Sequence, residues 1–220
     1  MTAALPELLI LRHGETEWNR AGRMQGALDS PLTDRGRAQA AAQRAILHRH
    51  GVLGGQGGHA IITSPQGRAL ATARIIAQGT TAGRPRTDAR LREIGMGRWT
   101  GRARADLAAI HPEFFAAQAP PLGYYDHAPG GEGLGPLAAR LRGFLSGLRG
   151  PAVIVTHGIT SRVLRCLALG LPIADFGRLD GGQGVVYRIS GRRYEKLTED
   201  AVIPQPCPGA AGLARPGAIV

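Results

Sequence analysis

Two short segments, Arg12-His13-Gly14 and His157-Gly158, each close an apolar run: Leu8-Leu9-Ile10-Leu11 before the first and Ala152-Val153-Ile154-Val155 before the second. Such runs read as buried strands of an α/β sheet, and ligands of these sheets bind beyond the carboxyl ends of the strands. An arginine and two imidazoles therefore share one sheet edge. A single histidine at a strand end is an ordinary structural residue, but two, each followed by glycine, point to chemistry. Arginine suits phosphoryl oxygens because its fork donates charge-assisted, bidentate hydrogen bonds. A neutral imidazole attacks phosphorus competently when an acceptor holds its other nitrogen and fixes the tautomer, and the backbone near Gly14 or Gly158 is the candidate acceptor. With His13 as nucleophile and Arg12 as anchor, His157 would donate to the same phosphoryl group. A metal centre on the two histidines is disfavoured, since flanking arginines repel a dication.

The elements that position these groups follow along the chain. Residues 19–32, punctuated by Gly22, Gly26, Asp29, Ser30 and Pro31, read as a loop over the strand edge. Thr33 fits an N-cap, and Ala38, Ala41, Ala42, Ala45 and Ile46 predict a helix to about His48, stopped by the glycines of 51–58. His48, His50 and His59 read as solvated. Ala60-Ile61-Ile62-Thr63 is a second strand, and Ser64-Pro65 pairs an N-cap with proline at the first helical position. Arg68 then falls in the first turn and faces the edge that bears Arg12. Residues 86–91 read as a third strand, 102–119 as a helix kinked or split at Pro112, and 120–131 as a loop carrying Tyr124, Tyr125, Asp126 and His127. Leu134, Leu137, Leu141, Phe144, Leu145 and Leu148 mark an amphipathic helix. Another helix starts near Ile159, and its free N–H groups favour an anion in the crevice. Strands at 185–189 and 194–197 close the sheet around Gly191.

Several blocks resemble the histidine phosphatase superfamily, the phosphoglycerate-mutase-like proteins. They are Arg12-His13-Gly14-Glu15-Thr16 with Trp18 and Asn19; Ser64-Pro65 with Arg68-Ala69 and Thr72-Ala73; Leu91-Arg92-Glu93-Ile94 with Gly97, Trp99 and Gly101; Pro129-Gly130-Gly131-Glu132; and His157-Gly158. The resemblance implies a three-layer α/β/α sandwich with a mostly parallel central sheet. It implies a phosphohistidine at His13, Glu93 as general acid and base, and Arg12, Arg68 and His157 around the phosphoryl group. Asn19, Gln25, Gly26, Gly158 and the backbone at Ile159 would complete the cradle. Judged by residue type alone, Glu93 among arginines is equally a surface ion-pair partner. The chain departs from the pattern at Thr100, where relatives often carry an acid, and at Gly133, which replaces a capping serine at a cost of a few tenths of a kcal/mol. The short segment between Glu93 and Pro129 resembles the phosphatase branch; mutases carry a longer, more basic insertion. The implied activity is hydrolysis of a small phosphorylated metabolite without metal or cofactor. Mutase-type phosphoryl transfer and a catalytically idle phospho-ligand-binding protein are the alternatives.

Composition narrows the remaining classes. With 220 residues and 43% hydrophobic content, one domain spanning 1–200 accounts for the core, followed by a Pro/Gly-rich tail over 201–220. The formal charge of +11 favours anionic substrates, but the basic residues are scattered arginines with Lys196 the single lysine, which argues against a nucleic-acid partner. No run has the length of a membrane span, and the N-terminus has no signal-peptide pattern, so a cytoplasmic location is expected. Cys166 and Cys207 read as reduced thiols. A homodimer is compatible with this reading and not required by it.

Overall fold

The computed structural model describes residues 5–53, 58–81, 83–116, 121–191 and 193–206. Its centre is β1 (Leu8–Arg12), whose alternating side chains serve two separate cores, as the two-residue repeat of a strand buried on both faces requires. Leu9 and Leu11 face α2 (Asp34–Arg49) and α3 (Gly67–Ala77), meeting Ile46, Leu47, Ala69, Ala73 and Ile76. Leu8 and Ile10 face α6 (Leu134–Ser146) and α7 (Gly158–Leu169), meeting Leu141, Phe144, Val163 and Leu164. This is the expected three-layer sandwich.

β2 (Ala60–Thr63), β3 (Arg86–Thr87), β4 (Ala152–Thr156), β5 (Val186–Ser190), β6 (Arg193–Leu197) and β7 (Val202–Pro204) complete a sheet of order β3-β2-β4-β1-β5-β6-β7. The pairs β3-β2, β2-β4 and β4-β1 are parallel, and β1-β5, β5-β6 and β6-β7 antiparallel, so the sheet is mixed rather than mostly parallel. Short links such as the turn at Gly191 can join only antiparallel strands, which accounts for the β5-β6 and β6-β7 pairs. The parallel half sets the site. Arg12 pairs with Thr156, so the next residues on the two strands, His13 and His157, stand at the same level.

Several local expectations are revised. The first two residues of the expected loop 19–32 are helical, because they end the short helix α1 (Glu17–Arg20), whose start carries a reciprocal Thr16–Asn19 capping box. Thr33 caps α2 as expected, accepting from Gly36 N–H at 3.0 Å. Ser64 and Pro65 do not start α3. The N-cap is Gln66, without a side-chain cap bond, and Asp29 accepts from Gly67 N–H and Arg68 N–H in its place. The third strand is only Arg86–Thr87, because Asp88 caps a tight turn over Ala89–Leu91. The helix of 102–119 is split at Pro112 into α4 (Arg104–Ile110) and α5 (Pro112–Phe115); residues 117–120 and Cys207 lie outside the described residues. His59 is not solvated: its ring lies 2.9 Å from Glu7 and its side chain is 9% exposed. Cys166 is a buried free thiol, pushed up to about 11 by burial.

Gly133 is more than a weak cap. Its φ of 76° and ψ of 161° lie in a region that side-chain-bearing residues scarcely enter, and Asp126 Oδ1 does the capping by accepting from Leu134 N–H at 2.6 Å. Gly133→Ser, which restores the cap residue of the resemblance, should therefore destabilise the fold by about 1–3 kcal/mol. Urea denaturation measures this, and an unchanged or raised midpoint would contradict it.

Candidate active site

At the carboxyl end of β1, His13 is 3% exposed and its backbone N–H donates to Thr156 O. Its Nδ1 lies 2.7 Å from Gly14 O, so the ring carries its proton on Nδ1 and leaves Nε2 as a lone pair. That lone pair accepts from Arg68 Nε at 3.3 Å. The expected acceptor is therefore Gly14. The strand-to-loop turn approaches α2 so closely that a Cβ on Gly14 would stand 2.1 Å from Gly36 O. Burial first, then Arg68 and Arg12, hold the His13 pKa well below its ordinary 6.5, and the ring is neutral at neutral pH.

Arg68, 2% exposed, is clamped over the edge by Leu28 O, Gly26 O and the carboxylate of Asp29, 2.8 Å away. His157 is fully buried, its ring centre 5.2 Å from that of His13. Its Nε2 lies 2.8 Å from Ser64 Oγ, which also accepts from Gln66 N–H. Ser64 has one proton to give. When that proton goes to His157 Nε2, the ring carries its own proton on Nδ1, the tautomer in which His157 presents a donor to the site. The Nδ1 atom is buried and finds no partner among the described residues. Burial, followed by Arg68, His13 and Arg12, also holds this ring well below 6.5.

Glu93 is fixed at the N-terminus of α7. Its Oε2 accepts from Ile159 N–H, and Oε1 from Thr160 N–H, the Thr160 hydroxyl and Ile94 N–H, at 2.9–3.2 Å. The anion that the helix start was expected to favour is thus this carboxylate, and the Ile159 amide is already engaged. Gly158 lies between Glu93 and Arg12, with ideal Cβ distances of 3.7 Å to Glu93 Oε2 and 3.5 Å to Arg12 Cζ.

The structure brings every predicted site residue to this edge. Arg12, His13, Asn19, Gln25, Gly26, Arg68, Glu93, Gly158 and Ile159 line one cavity of about 200 Å³, and His157 lies beneath it. Four positioning residues escaped the sequence reading. Ser64 orients His157, as above. Gln66 joins Gly26 O to the Glu93 N–H. Gln43 donates to Arg12 O and Val185 O. Gln183 donates to His13 O, while neighbouring Gly181 O accepts from Arg12 Nη1. The loop carrying Gln183 is tied down by Arg165, fully buried, whose guanidinium carbon is 3.9 Å from the Tyr187 ring centre and which donates to Asp180 O and the Tyr194 hydroxyl. Lone glutamines and serines far apart in sequence carry no motif, so no pattern could have singled them out. Over the cavity, Tyr125 stacks on Tyr124, and Tyr124 on Phe115 of α5.

Residues 8–200 match the profile of the histidine phosphatase superfamily, branch 1, and the chain belongs to that family. Its relatives make it an enzyme of the phosphatase type. Among them, a glucosyl-3-phosphoglycerate phosphatase of Mycolicibacterium vanbaalenii is 35% identical over 190 residues, covering 80% of each chain. Phosphoserine phosphatase 1 of Hydrogenobacter thermophilus is 32% identical over 177 residues (77% of this chain, 79% of the relative). A probable phosphoglycerate mutase of Serratia proteamaculans is 38% identical over 171 residues, 76% of each. The solved mycobacterial glucosyl-3-phosphoglycerate phosphatase, in complex with VO3, superposes with a TM-score of 0.70 at 31% identity, covering 84% of this chain and 92% of that one. Among the described residues, no helix is long and apolar enough to cross a membrane.

The two depressed histidines make stability pH-dependent with a definite sign. Below about pH 6.5 the unfolded chain binds protons that the folded rings refuse, so stability falls as pH falls, by up to about 1.4 kcal/mol per pH unit for each ring. Urea unfolding at pH 6.5 and pH 5.0 should show this loss, and His13→Gln should remove about half of the slope. An unchanged slope in the variant would contradict the assignment of a neutral, buried His13.

Proposed function

We propose that this chain is a phosphomonoester hydrolase acting on a small phosphorylated metabolite through a phosphohistidine at His13. The observation that carries the reading is a set of buried polar atoms without partners among the described residues: Arg12 Nε, His157 Nδ1 and Gln25 Oε1, all on predicted site residues. Buried groups of this kind are costly unless a ligand satisfies them. Arg12 Nε is a donor suited to phosphoryl oxygens, and His157 Nδ1 is one in the tautomer in which Ser64 donates to Nε2. The third becomes one if the Gln25 amide is exchanged end for end, because Thr16 Oγ1, now 2.8 Å from Nε2, can donate to the oxygen.

In this mechanism His13 Nε2 attacks phosphorus in line with the leaving oxygen, and the P–O bond to the alcohol breaks as the P–N bond forms. The Arg68 Nε–H, directed at that nitrogen, passes to a phosphoryl oxygen, joined by Arg12 and His157 Nδ1–H. These preformed donors stabilise charge where it develops. Glu93 protonates the leaving alkoxide and afterwards takes a proton from the water that cleaves the P–N bond, returning neutral His13 and inorganic phosphate. Arg12 and Arg68 provide the positive charge that a metal would otherwise supply, and no cofactor enters the balance. Neither a nucleic acid nor a membrane is needed as partner, and the proposed location is cytoplasmic. Transfer of the phosphoryl group to a second hydroxyl, the mutase alternative, is kept by the Serratia relative; release of inorganic phosphate without a phosphorylated acceptor separates the two.

Removing the proton donor should act through the leaving group. Glu93→Gln should lower kcat about 10²- to 10⁴-fold on alkyl phosphates, and far less on p-nitrophenyl phosphate, whose leaving group needs little protonation. Steady-state phosphate release on both substrates tests this. Equal losses would remove Glu93 from the role, and absence of phosphate release from every phosphomonoester by the unmodified enzyme would overturn the function.

A further inference from the structure

The cavity holds more cationic equipment than a phosphoryl group uses. Besides Arg12 and Arg68, it is lined by Arg23 and Arg162. Arg23 is exposed and spans to Gly101 O at the rim. Arg162, on α7 one turn beyond Gly158, is half-buried and built in. Its Nε donates to Leu179 O at 2.9 Å and its Nη1 to Gly158 O at 3.0 Å. Nη2 makes no hydrogen bond to a described residue, and no described carboxylate comes within 4 Å of this guanidinium. Its place depends on a missing side chain, because a Cβ on Gly181 would stand 2.0 Å from Nη2. The same glycine accepts from Arg12 through its carbonyl, so the two arginines are held on one loop yet make separate contacts.

A partly desolvated cation satisfied only by carbonyls lacks its natural partner, an anion. Burial first, then Arg12 and Arg165, lower the Arg162 pKa below its ordinary value, with Tyr125 and Tyr187 opposing them. Among the described residues no carboxylate lining the cavity is available to it, because Glu93, the only acid there, is bound to the start of α7. Nor does Arg162 hydrogen-bond to His13 or Arg68, which hold the phosphoryl end in the reading above. It lines the same cavity as Tyr125 and Leu122 of the covering segment.

We propose that Arg162 is a specificity-determining residue: it forms a carboxylate subsite, and the enzyme's substrates are phosphomonoesters whose alcohol carries a carboxylate. A planar fork with one free N–H edge suits a carboxylate geometrically, and a neutral sugar or polyol would leave the charge unpaired. The inference rests on the phosphatase reading and specifies the substrate class of the same site.

Matched ester pairs test it. Phosphate release is measured on 3-phosphoglycerate against glycerol 3-phosphate, and on O-phosphoserine against O-phosphoethanolamine, with p-nitrophenyl phosphate as a substrate lacking either feature. The readout is the kcat/KM ratio within each pair, which cancels general damage to the enzyme. The unmodified enzyme should favour the carboxylated member at least about tenfold, and Arg162→Gln should collapse that ratio about ten- to hundredfold, mainly through KM, as loss of one charge-assisted pair predicts. Arg162→Lys should restore part of it, and Arg23→Gln should keep it. Ratios near one in the unmodified enzyme, a preserved preference in Arg162→Gln, or a preference abolished by Arg23→Gln in place of Arg162→Gln would each overturn the proposal. No turnover of any ester, p-nitrophenyl phosphate included, would instead bring down the phosphatase reading beneath it.

Discussion

The hydrogen bond between His13 Nδ1–H and the carbonyl of Gly14 is the constraint on which the rest of the site depends. It decides which nitrogen is a lone pair and points that nitrogen at Arg68. It requires the chain to turn sharply at the end of β1, and the turn is open only because Gly14 and Gly36 let two backbones approach without side chains. The neutral ring is also held by burial between two guanidinium groups, an arrangement hostile to an imidazolium. Fold, tautomer and protonation state thus share one local geometry, and the neighbouring strand supports it by bringing His157 to the same height.

Around this bond the structure divides its charges with little overlap. Arg68 is neutralised by Asp29 and locked to the loop of residues 26–29. Glu93, the one carboxylate lining the cavity among the described residues, takes the helix-start amides. Arg12 is tied to the loop that Arg165 anchors in the core. The general consequence is rigidity: polar groups of the site are fixed by partners on several separate chain segments, the arrangement electrostatic catalysis requires.

How much of this the sequence disclosed follows from the physics of each feature. The strands ending in His13 and His157 were legible because buried parallel strands need long aliphatic runs, and a charged or imidazole residue at the end of such a run stands out. The helix over Asp34–Arg49 and its Thr33 cap were legible because both are local. Where tertiary partners decide, reading failed. Ser64 looked like a helix cap and instead orients His157, while Asp29, some forty residues distant, caps α3. Gly133 looks like a tolerated substitution by residue type and in fact occupies a backbone region that strains serine. Gln43, Gln66 and Gln183 act through single hydrogen bonds to backbone groups remote in sequence, which composition and periodicity do not encode.

The central claim is that the Gly14-oriented His13 attacks through Nε2, and the most direct test is to trap the adduct. Rapid quenching of the enzyme turning over a ³²P-labelled phosphomonoester, without acid, followed by peptide mapping and NMR of the modified peptide, should give an acid-labile, base-stable phosphohistidine at His13, with phosphorus on Nε2. A phosphoryl group on Nδ1 of that ring, on a serine, or on no residue at all during steady turnover would contradict the account.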